Sequence, residues 1–187
     1  MTTQGGGYSP RIKAILTAGQ TYYIKVSGNS DSQSGSFTLN VVNEGTTYFE
    51  DFEDTVFTIP FTGDWVRVGA GYGVGWGFRS KWSLPQGQTS QTSFKVTVPA
   101  GITNAKLSFV YYLSSEPNLD NFIVTINGVD VLKKSGFISY TPFETALSSG
   151  THTIVFKYQR TSSGSNSGLA MIDNVIVIGK GISVSTA

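Results

Sequence analysis

The sequence of 187 residues contains no cysteine and a single histidine, His152. Without cysteine the chain has no disulfide, no thiolate metal ligand and no thiol nucleophile. A zinc centre needs three or four nitrogen or sulfur ligands, and one histidine does not supply them. These absences exclude cysteine chemistry and a zinc site.

Charge is also scarce. Charged residues make up 13% of the chain, and 13 Lys and Arg nearly balance 12 Asp and Glu, whereas a soluble domain usually carries about 25% charge. No basic run is present to meet a phosphate backbone, and no run reaches the roughly 18 apolar residues of a membrane span. The N-terminal stretch 1–7 lacks the basic and apolar regions of a signal peptide. We therefore expect neither a nucleic-acid partner nor a membrane span.

Short runs of β-branched and aromatic residues dominate what remains. Many alternate with period 2, and clusters of Gly, Asn, Ser or Pro bound them. Asn127-Gly128 is typical of a two-residue hairpin turn, because Asn-Gly readily adopts positive φ. The pattern predicts an all-β fold, an antiparallel two-sheet sandwich. The clearest runs are Thr21–Val26, Ser36–Val42, Ser93–Val98, Lys106–Leu113, Phe122–Asn127, Thr151–Tyr158 and Ala170–Ile178.

The distribution of these runs predicts a domain boundary near Asn43–Thr47. Residues 1–45 contain two clear strands, too few for a core of their own, since an isolated hairpin is marginal in water. We interpret 1–45 as a partial β-sandwich segment and 46–179 as a complete sandwich domain. The tail 180–187 is expected either to pair with a sheet edge or to stay loose.

Two resemblances refine this prediction. Phe52-Glu-Asp, Gly77-Phe-Arg-Ser, Asp120-Asn-Phe-Ile-Val and Ile172-Asp-Asn-Val, in this order, resemble the MAM-like, concanavalin-type jelly-roll modules of bacterial surface proteins, secreted enzymes and some phage particles. The resemblance covers about residues 48–178 and implies a jelly roll that is usually non-catalytic and often suspected of binding glycans. Met171 departs from it, because many relatives carry Trp there.

The first segment resembles a different module. Leu16-Thr-Ala-Gly-Gln-Thr-Tyr-Tyr-Ile and Gly35-Ser-Phe-Thr-Leu-Asn-Val are similar to the closing strands of the pre-peptidase C-terminal type β-sandwich. The earlier strands of that module are absent. The resemblance implies a truncated module or one that another chain completes.

The densest acidic cluster is Glu50-Asp51-Phe52-Glu53-Asp54. Carboxylates this close repel one another unless solvent or a cation relieves them, and calcium prefers such oxygen ligands. In several jelly rolls an acidic pair near the first strand meets an Asp just before the last. This comparison implies a structural Ca²⁺ site formed by Asp51, Glu53 and Asp173. The alternative is a solvated strand start.

Aromatic side chains concentrate between positions 65 and 82. Sugar recognition uses aromatic planes together with a few polar groups, and this region supplies both. The predicted ligand-binding residues are Trp65, Tyr72, Trp76, Arg79 and Trp82, and the alternative for Trp65 is a place in the core of the sandwich. Glycine at every second position from 69 to 77 indicates either a mobile loop or a close contact with a ligand or subunit.

Catalysis is not expected. The chain has no Gly-x-Ser-x-Gly motif, and His152 is interpreted as an outward-facing strand residue. The first prediction is a phage virion component, a capsid decoration or a tail or fibre protein, that contacts host-surface glycans. A virion protein leaves the cell by lysis, which fits the missing export signal. The alternative is a carbohydrate-binding or adhesion domain of a secreted or cell-surface bacterial protein. The expected partners are surface glycans or other surface proteins, and a homo-oligomer is left open.

Overall fold

A computed structural model describes residues 20–25, 45–73, 75–161 and 168–187. The chain divides into two compact units, Met1–Val42 and Asn43–Ala187. Residues 20–25 are exposed and without regular secondary structure, so over these residues the predicted strand Thr21–Val26 is wrong. A preference for β structure becomes a strand only where a neighbour completes the ladder. The rest of the predicted partial sandwich lies outside the described residues, as does the strand Ser36–Val42.

The described residues of the second unit form twelve strands and no helix. The long strands β5, β6 and β10 alternate between buried and more exposed positions, as β-branched and aromatic residues at period 2 require. They are β1 (Thr46–Glu50), β2 (Thr62–Gly63), β3 (Val66–Val68), β4 (Gly77–Arg79), β5 (Thr89–Val98), β6 (Lys106–Ser114), β7 (Asn121–Ile126), β8 (Val129–Lys134), β9 (Phe137–Ala146), β10 (Gly150–Gln159), β11 (Leu169–Gly179) and β12 (Ser183–Ser185).

These strands form two antiparallel sheets. The first has the order β3-β4-β11-β6-β9, with β1 also paired to β11. The second has the order β12-β5-β10-β7-β8, with β2 also paired to β5. The predicted fold class, an all-β jelly-roll sandwich of two antiparallel sheets, is confirmed.

An aromatic core lies between the sheets. Phe94, Phe109 and Phe156 are at most 2% exposed, and the ring of Phe156 contacts that of Phe109 edge to face at 5.1 Å. Every second residue of β6 faces this core, from Leu107 to Leu113. Alternation therefore sends the residues between them, including Tyr112, to the outer face of the first sheet.

The hairpin turn and the C-terminal tail can be compared with their predictions. Asn127 and Gly128 have φ of 52° and 81° and join β7 to β8 as the predicted hairpin. The tail pairs with β5 through β12, from Ser183 opposite Thr97 to Ser185 opposite Lys95. No helix long and apolar enough to cross a membrane occurs in the described part of the chain.

Strand β9 is the other outer strand of interest. Among the described strands it pairs only with β6, so it forms an edge of the first sheet. Pro142 lies in its middle, opposite Val110. Proline has no backbone N–H and is tolerated in a sheet only at such an edge.

Candidate functional site

The alternating glycines of 69–77 form the loop that joins β3 to β4. This segment, the glycine loop, folds back on itself through a hydrogen bond from Gly71 N to Gly75 O at 2.9 Å. Gly71 has no room for a side chain, because a methyl group there would overlap the carbonyl of Trp76 and lie 2.7 Å from Asp173 Oδ2. The glycines therefore permit close packing of the loop against its neighbours.

Two carboxylates hold the loop by its backbone. Asp173 Oδ2 accepts a hydrogen bond from Tyr72 N at 2.6 Å, and Glu53 Oε1 accepts one from Trp76 N at 2.8 Å. Tyr140 adds a third contact, since its hydroxyl donates to the carbonyl of Ala70. The loop that carries Tyr72 and Trp76 is thus fixed by side chains from three other parts of the chain.

The electrostatics of this cluster centre on Asp173, which is 2% exposed. Burial raises its pKa to about 6, and the nearby charges of Glu53 and Asp51 raise it as well. Hydrogen bonds from Tyr72 N and Asn174 N oppose these effects. The charges of two predicted calcium ligands, Glu53 and Asp51, therefore act on the third, Asp173.

These carboxylates are oxygen donors of the kind that calcium prefers, and each already accepts a backbone hydrogen bond. Asp51 Oδ1 accepts from Glu53 N at 3.2 Å. A carboxylate offers about four acceptor positions, so lone pairs remain for a metal. Across the described residues, no three Asp, Glu or His side chains cluster as a metal site. The calcium site stays a prediction, and Asp51, Glu53 and Asp173 are the residues that would form it.

The acidic segment 50–54 lies at the end of a strand, so the alternative of a solvated strand start is wrong. Strand β1 ends at Glu50, whose carboxylate accepts hydrogen bonds from Phe52 N at 2.9 Å and Thr58 N at 2.6 Å. Phe52 then adopts a φ of 58° and is fully buried. Burial raises the pKa of Glu50 above its usual range. This carboxylate organises the chain reversal after β1.

An arginine links the acidic segment to the glycine loop. Arg67 donates hydrogen bonds to the carbonyls of Phe52 and Glu53, the latter at 2.7 Å. Its guanidinium also lies over the ring of Trp76, 3.7 Å from the centroid, a cation–π geometry. Trp76 remains 40% exposed, so one of the predicted ligand-binding rings is both held and accessible.

Four aromatic rings form a continuous row on the outer face of the first sheet. The ring centroids lie 5.7 Å apart from Phe137 to Tyr112, 5.3 Å from Tyr112 to Tyr140 and 5.4 Å from Tyr140 to Tyr72. The two ends are the most open, with Phe137 73% and Tyr72 54% exposed. We call this row the aromatic ridge.

A β-bulge creates the middle of the ridge. Tyr111 pairs with Thr141 and Leu113 with Ile138, so β9 places two residues, Ser139 and Tyr140, opposite Tyr112. The extra residue reverses the direction of the next side chain. Tyr140 consequently packs on the outer face, where its hydroxyl also lies 3.2 Å from Met171 Sδ. Met171 thus lies under the ridge and not in the core.

Strand pairing sets an arginine beside the ridge. Met171 pairs with Arg79 on one side and with Tyr112 on the other. Arg79 is partly exposed, and its guanidinium lies 5.9 Å from the ring of Trp82, which is 57% exposed. Of the five predicted ligand-binding residues, Tyr72, Trp76, Arg79 and Trp82 are therefore accessible.

Trp65 is the exception, and its prediction as a ligand-binding residue is wrong. It is 5% exposed and packs between the sheets, with ring centroids 6.1–6.3 Å from Phe78, Phe122 and Phe156. A ring enclosed in this way cannot contact a ligand. Trp65 is a core residue, as the alternative to that prediction had it.

The interpretation of His152 also needs correction. It is 7% exposed and faces inward in β10, in the same alternation as Ile154 and Phe156. Its Nε2 lies 2.7 Å from Ser148 O, and its Nδ1 lies 3.2 Å from Asn127 Nδ2. Both ring nitrogens therefore join neighbouring loops in a structural contact.

Sequence reasoning missed Phe137 and Tyr140. Phe137-Ile-Ser-Tyr-Thr alternates as a strand does, but Pro142 interrupts the run and the bulge is not visible in it. Tyr112 faces outward from β6, whereas its neighbour Tyr111 is buried. The signal in the sequence that could have found them is the presence of aromatic residues at outward positions of neighbouring strands.

Comparisons with known proteins give distant likenesses. No family model and no curated protein matches the chain. Among solved structures, the CBM22-1 xylan-binding domain of Paenibacillus barcinonensis Xyn10C is 10% identical, with 75% of this chain and 99% of that domain covered and a TM-score of 0.49. A family 35 carbohydrate-binding module from an environmental isolate is 16% identical, covering 75% and 98%, with a TM-score of 0.44.

A third structure belongs to a larger protein. The secreted serine protease VesC from Vibrio cholerae is 22% identical over 58% of this chain, with a TM-score of 0.44, and this chain spans 21% of its length. With TM-scores below 0.5, none of these likenesses transfers a ligand or a site residue. The MAM-like and pre-peptidase resemblances remain predictions.

Proposed function

We propose that the unit 43–187 is a non-catalytic glycan-binding module that acts outside the cell, as part of a secreted or cell-surface protein. The aromatic ridge is the observation that carries the proposal. Tyrosine and phenylalanine rings on a rigid sheet offer apolar faces to a pyranose ring, and the tyrosine hydroxyls and Arg79 offer hydrogen bonds to its substituents. Core packing and the strand ladder fix the ridge before binding, which limits the entropy lost on association.

The glycine loop supports the same face. Hydrogen bonds to Asp173 and Glu53 hold the backbone of Tyr72 and Trp76, so the loop presents both rings in a defined position. The predicted role as a phage virion component has no comparable support in the described residues. It is retained only as a prediction about the origin of the chain.

The test is a glycan array probed with the full chain, followed by affinity measurements on the glycans that bind. Phe137→Ala and Tyr112→Ala should each weaken binding about tenfold, because truncating an aromatic anchor costs roughly 1–2 kcal/mol. Val129→Ala is the matched control, since Val129 is 66% exposed but lies on β8 of the other sheet. Circular dichroism checks that each variant is folded.

Two results would contradict the proposal. One is an array on which no glycan binds. The other is binding that survives both ridge substitutions and is lost only on changes in the second sheet.

A further inference from the structure

Arg79 occupies a defined position on the proposed binding face. It follows Phe78, which faces the core, so its own side chain points to the outer face of the first sheet. Pairing places it one strand from Met171 and two strands from Tyr112. Strands lie roughly 4.8 Å apart, so the backbones at Arg79 and Tyr112 are about 10 Å apart. A guanidinium therefore stands beside the ridge, within reach of a ligand seated on it.

This arginine has no carboxylate partner among the described residues. Its Nη1 donates to Ser80 O at 2.9 Å, and its other described contact is with the Trp82 ring. Guanidinium groups carry five N–H donors, so most donors of Arg79 have no acceptor in the described part of the protein. A partly buried charge without a counter-charge is unfavourable.

Several other cations of the described part of the unit have carboxylate or carbonyl partners. Lys81 forms an ion pair with Asp64 at 3.0 Å, and Lys106 forms one with Glu144 at 2.7 Å. Arg67 donates to two backbone carbonyls, and Arg160 donates to Leu84 O at 2.6 Å. Arg79 is the partly buried arginine on the ridge face whose donors remain available.

We infer that Arg79 binds the carboxylate of an acidic sugar, so that the ligand of the ridge is a uronate-containing glycan. This inference rests on the proposed glycan-binding function. The planar guanidinium matches a carboxylate through two parallel, charge-assisted hydrogen bonds, whereas the hydroxyls of a neutral sugar carry no charge to strengthen such bonds. Trp82 flanks the guanidinium and limits the directions it can take, and the ridge supplies the stacking surface for the sugar ring.

Calorimetric titration of the full chain tests this inference. The probes are oligomers of galacturonate, oligomers of mannuronate and glucuronate-substituted xylan oligomers, each paired with its carboxyl-reduced neutral counterpart. A chelator is present so that calcium cannot bridge carboxylates. At least one uronate oligomer should bind about tenfold more tightly than its reduced counterpart, and its affinity should fall as salt increases, because the contact is ionic.

Two substitutions of Arg79 distinguish the effect of its two parallel hydrogen bonds from the effect of its positive charge. Arg79→Gln should abolish the preference for the uronate form, and Arg79→Lys should lose most of it, because lysine keeps the charge but cannot bind a carboxylate through two parallel bonds. Lys133→Gln is the matched control, because it removes an exposed positive charge from β8 of the other sheet. This control should leave the preference unchanged.

The outcomes distinguish this inference from the function it depends on. Equal binding of acidic and reduced oligomers, lost in Tyr112→Ala and unaffected by Arg79→Gln, overturns the inference and leaves the glycan-binding function in place. Tighter binding of a sulfated oligosaccharide without uronate overturns it as well. No binding of any oligomer, together with a silent glycan array, overturns both.

Discussion

Asp173 shows how one buried carboxylate can organise a surface loop. Its two oxygens accept hydrogen bonds from the backbone of Tyr72 and Asn174, each at 2.6 Å. The side chain is enclosed, and two further carboxylates lie nearby. The hydrogen bonds favour the charged form, while burial and the neighbouring charges favour the protonated form.

This balance gives a pH dependence of stability in calcium-free buffer. The pKa of Asp173 is raised to about 6 in the folded protein, above the usual value of about 3.9 in an unfolded chain. The folded state therefore holds the proton more tightly, and the stability gained in this way is fully present below about pH 4 and lost as the pH rises through 6. The difference between these two pKa values corresponds to about 3 kcal/mol of stability.

Carboxyl ¹³C NMR measures this pKa directly. Glu53→Gln should lower it, because glutamine removes a neighbouring negative charge and still accepts the hydrogen bond from Trp76 N. Asp54→Asn is the control, since Asp54 is exposed and caps Val56 N at 2.8 Å. A value near 4 for Asp173 in the unmodified protein would contradict the account.

At this scale the sequence identifies residue types but not their surroundings. It marked both Trp65 and Trp76 as candidates, and only the fold separates an enclosed ring from an accessible one. His152 was interpreted as facing outward, whereas its phase with Ile154 and Phe156 takes it inward. What decides the direction of each side chain is the phase of the alternation along its strand. An error of one residue in that phase reverses the direction of every side chain in the strand.

The glycine loop is the element whose conformation depends most on the absence of side chains. Gly71→Ala should destabilise the protein by about 2 kcal/mol, because the added methyl group overlaps the backbone of Trp76 and crowds Asp173. Gly69→Ala is the matched control: a methyl group there would lie 3.8 Å from the Trp76 ring, an ordinary contact, and stability should change by less than about 0.5 kcal/mol.

Urea unfolding measures both free energies. The proposed function adds a second measurement, since Gly71→Ala should also weaken glycan binding by displacing Tyr72. Equal stability of the two variants would mean that the loop does not pack as described.

Long, regular strands were the elements most easily predicted. The runs at Lys106–Leu113, Thr151–Tyr158 and Ala170–Ile178 lie within β6, β10 and β11, because their alternation matches the pleat of a half-buried sheet. β9 was missed because a proline and a bulge interrupt its alternation. The aromatic ridge depends on that bulge, so the place of Tyr140 in it could not be predicted from the sequence.

For the whole molecule, bound calcium is the prediction with the broadest effect. An ion that binds only the folded state raises its stability by mass action, by about 2.7 kcal/mol at a concentration 100 times the Kd. Adding calcium should therefore raise the melting temperature by roughly 5 °C or more in a protein of this size, and chelation should reverse the rise. Differential scanning calorimetry at pH 7 follows it.

The carboxylates named for the site supply the controls. Glu53→Gln should reduce the calcium-dependent rise, whereas Asp54→Asn, in the same acidic segment, should leave it intact. A melting temperature that is the same with calcium and with chelator removes the calcium site.

Pro142 has a consequence for how copies of this protein can associate. An incoming strand that tried to extend the first sheet along β9 would find no amide hydrogen at the centre of the edge, and its ladder would break there. Sheet-to-sheet polymerisation through this side is thereby discouraged. A protein with many exposed aromatic rings can then remain dispersed at high concentration. The outer face of its first sheet stays free to bind a ligand.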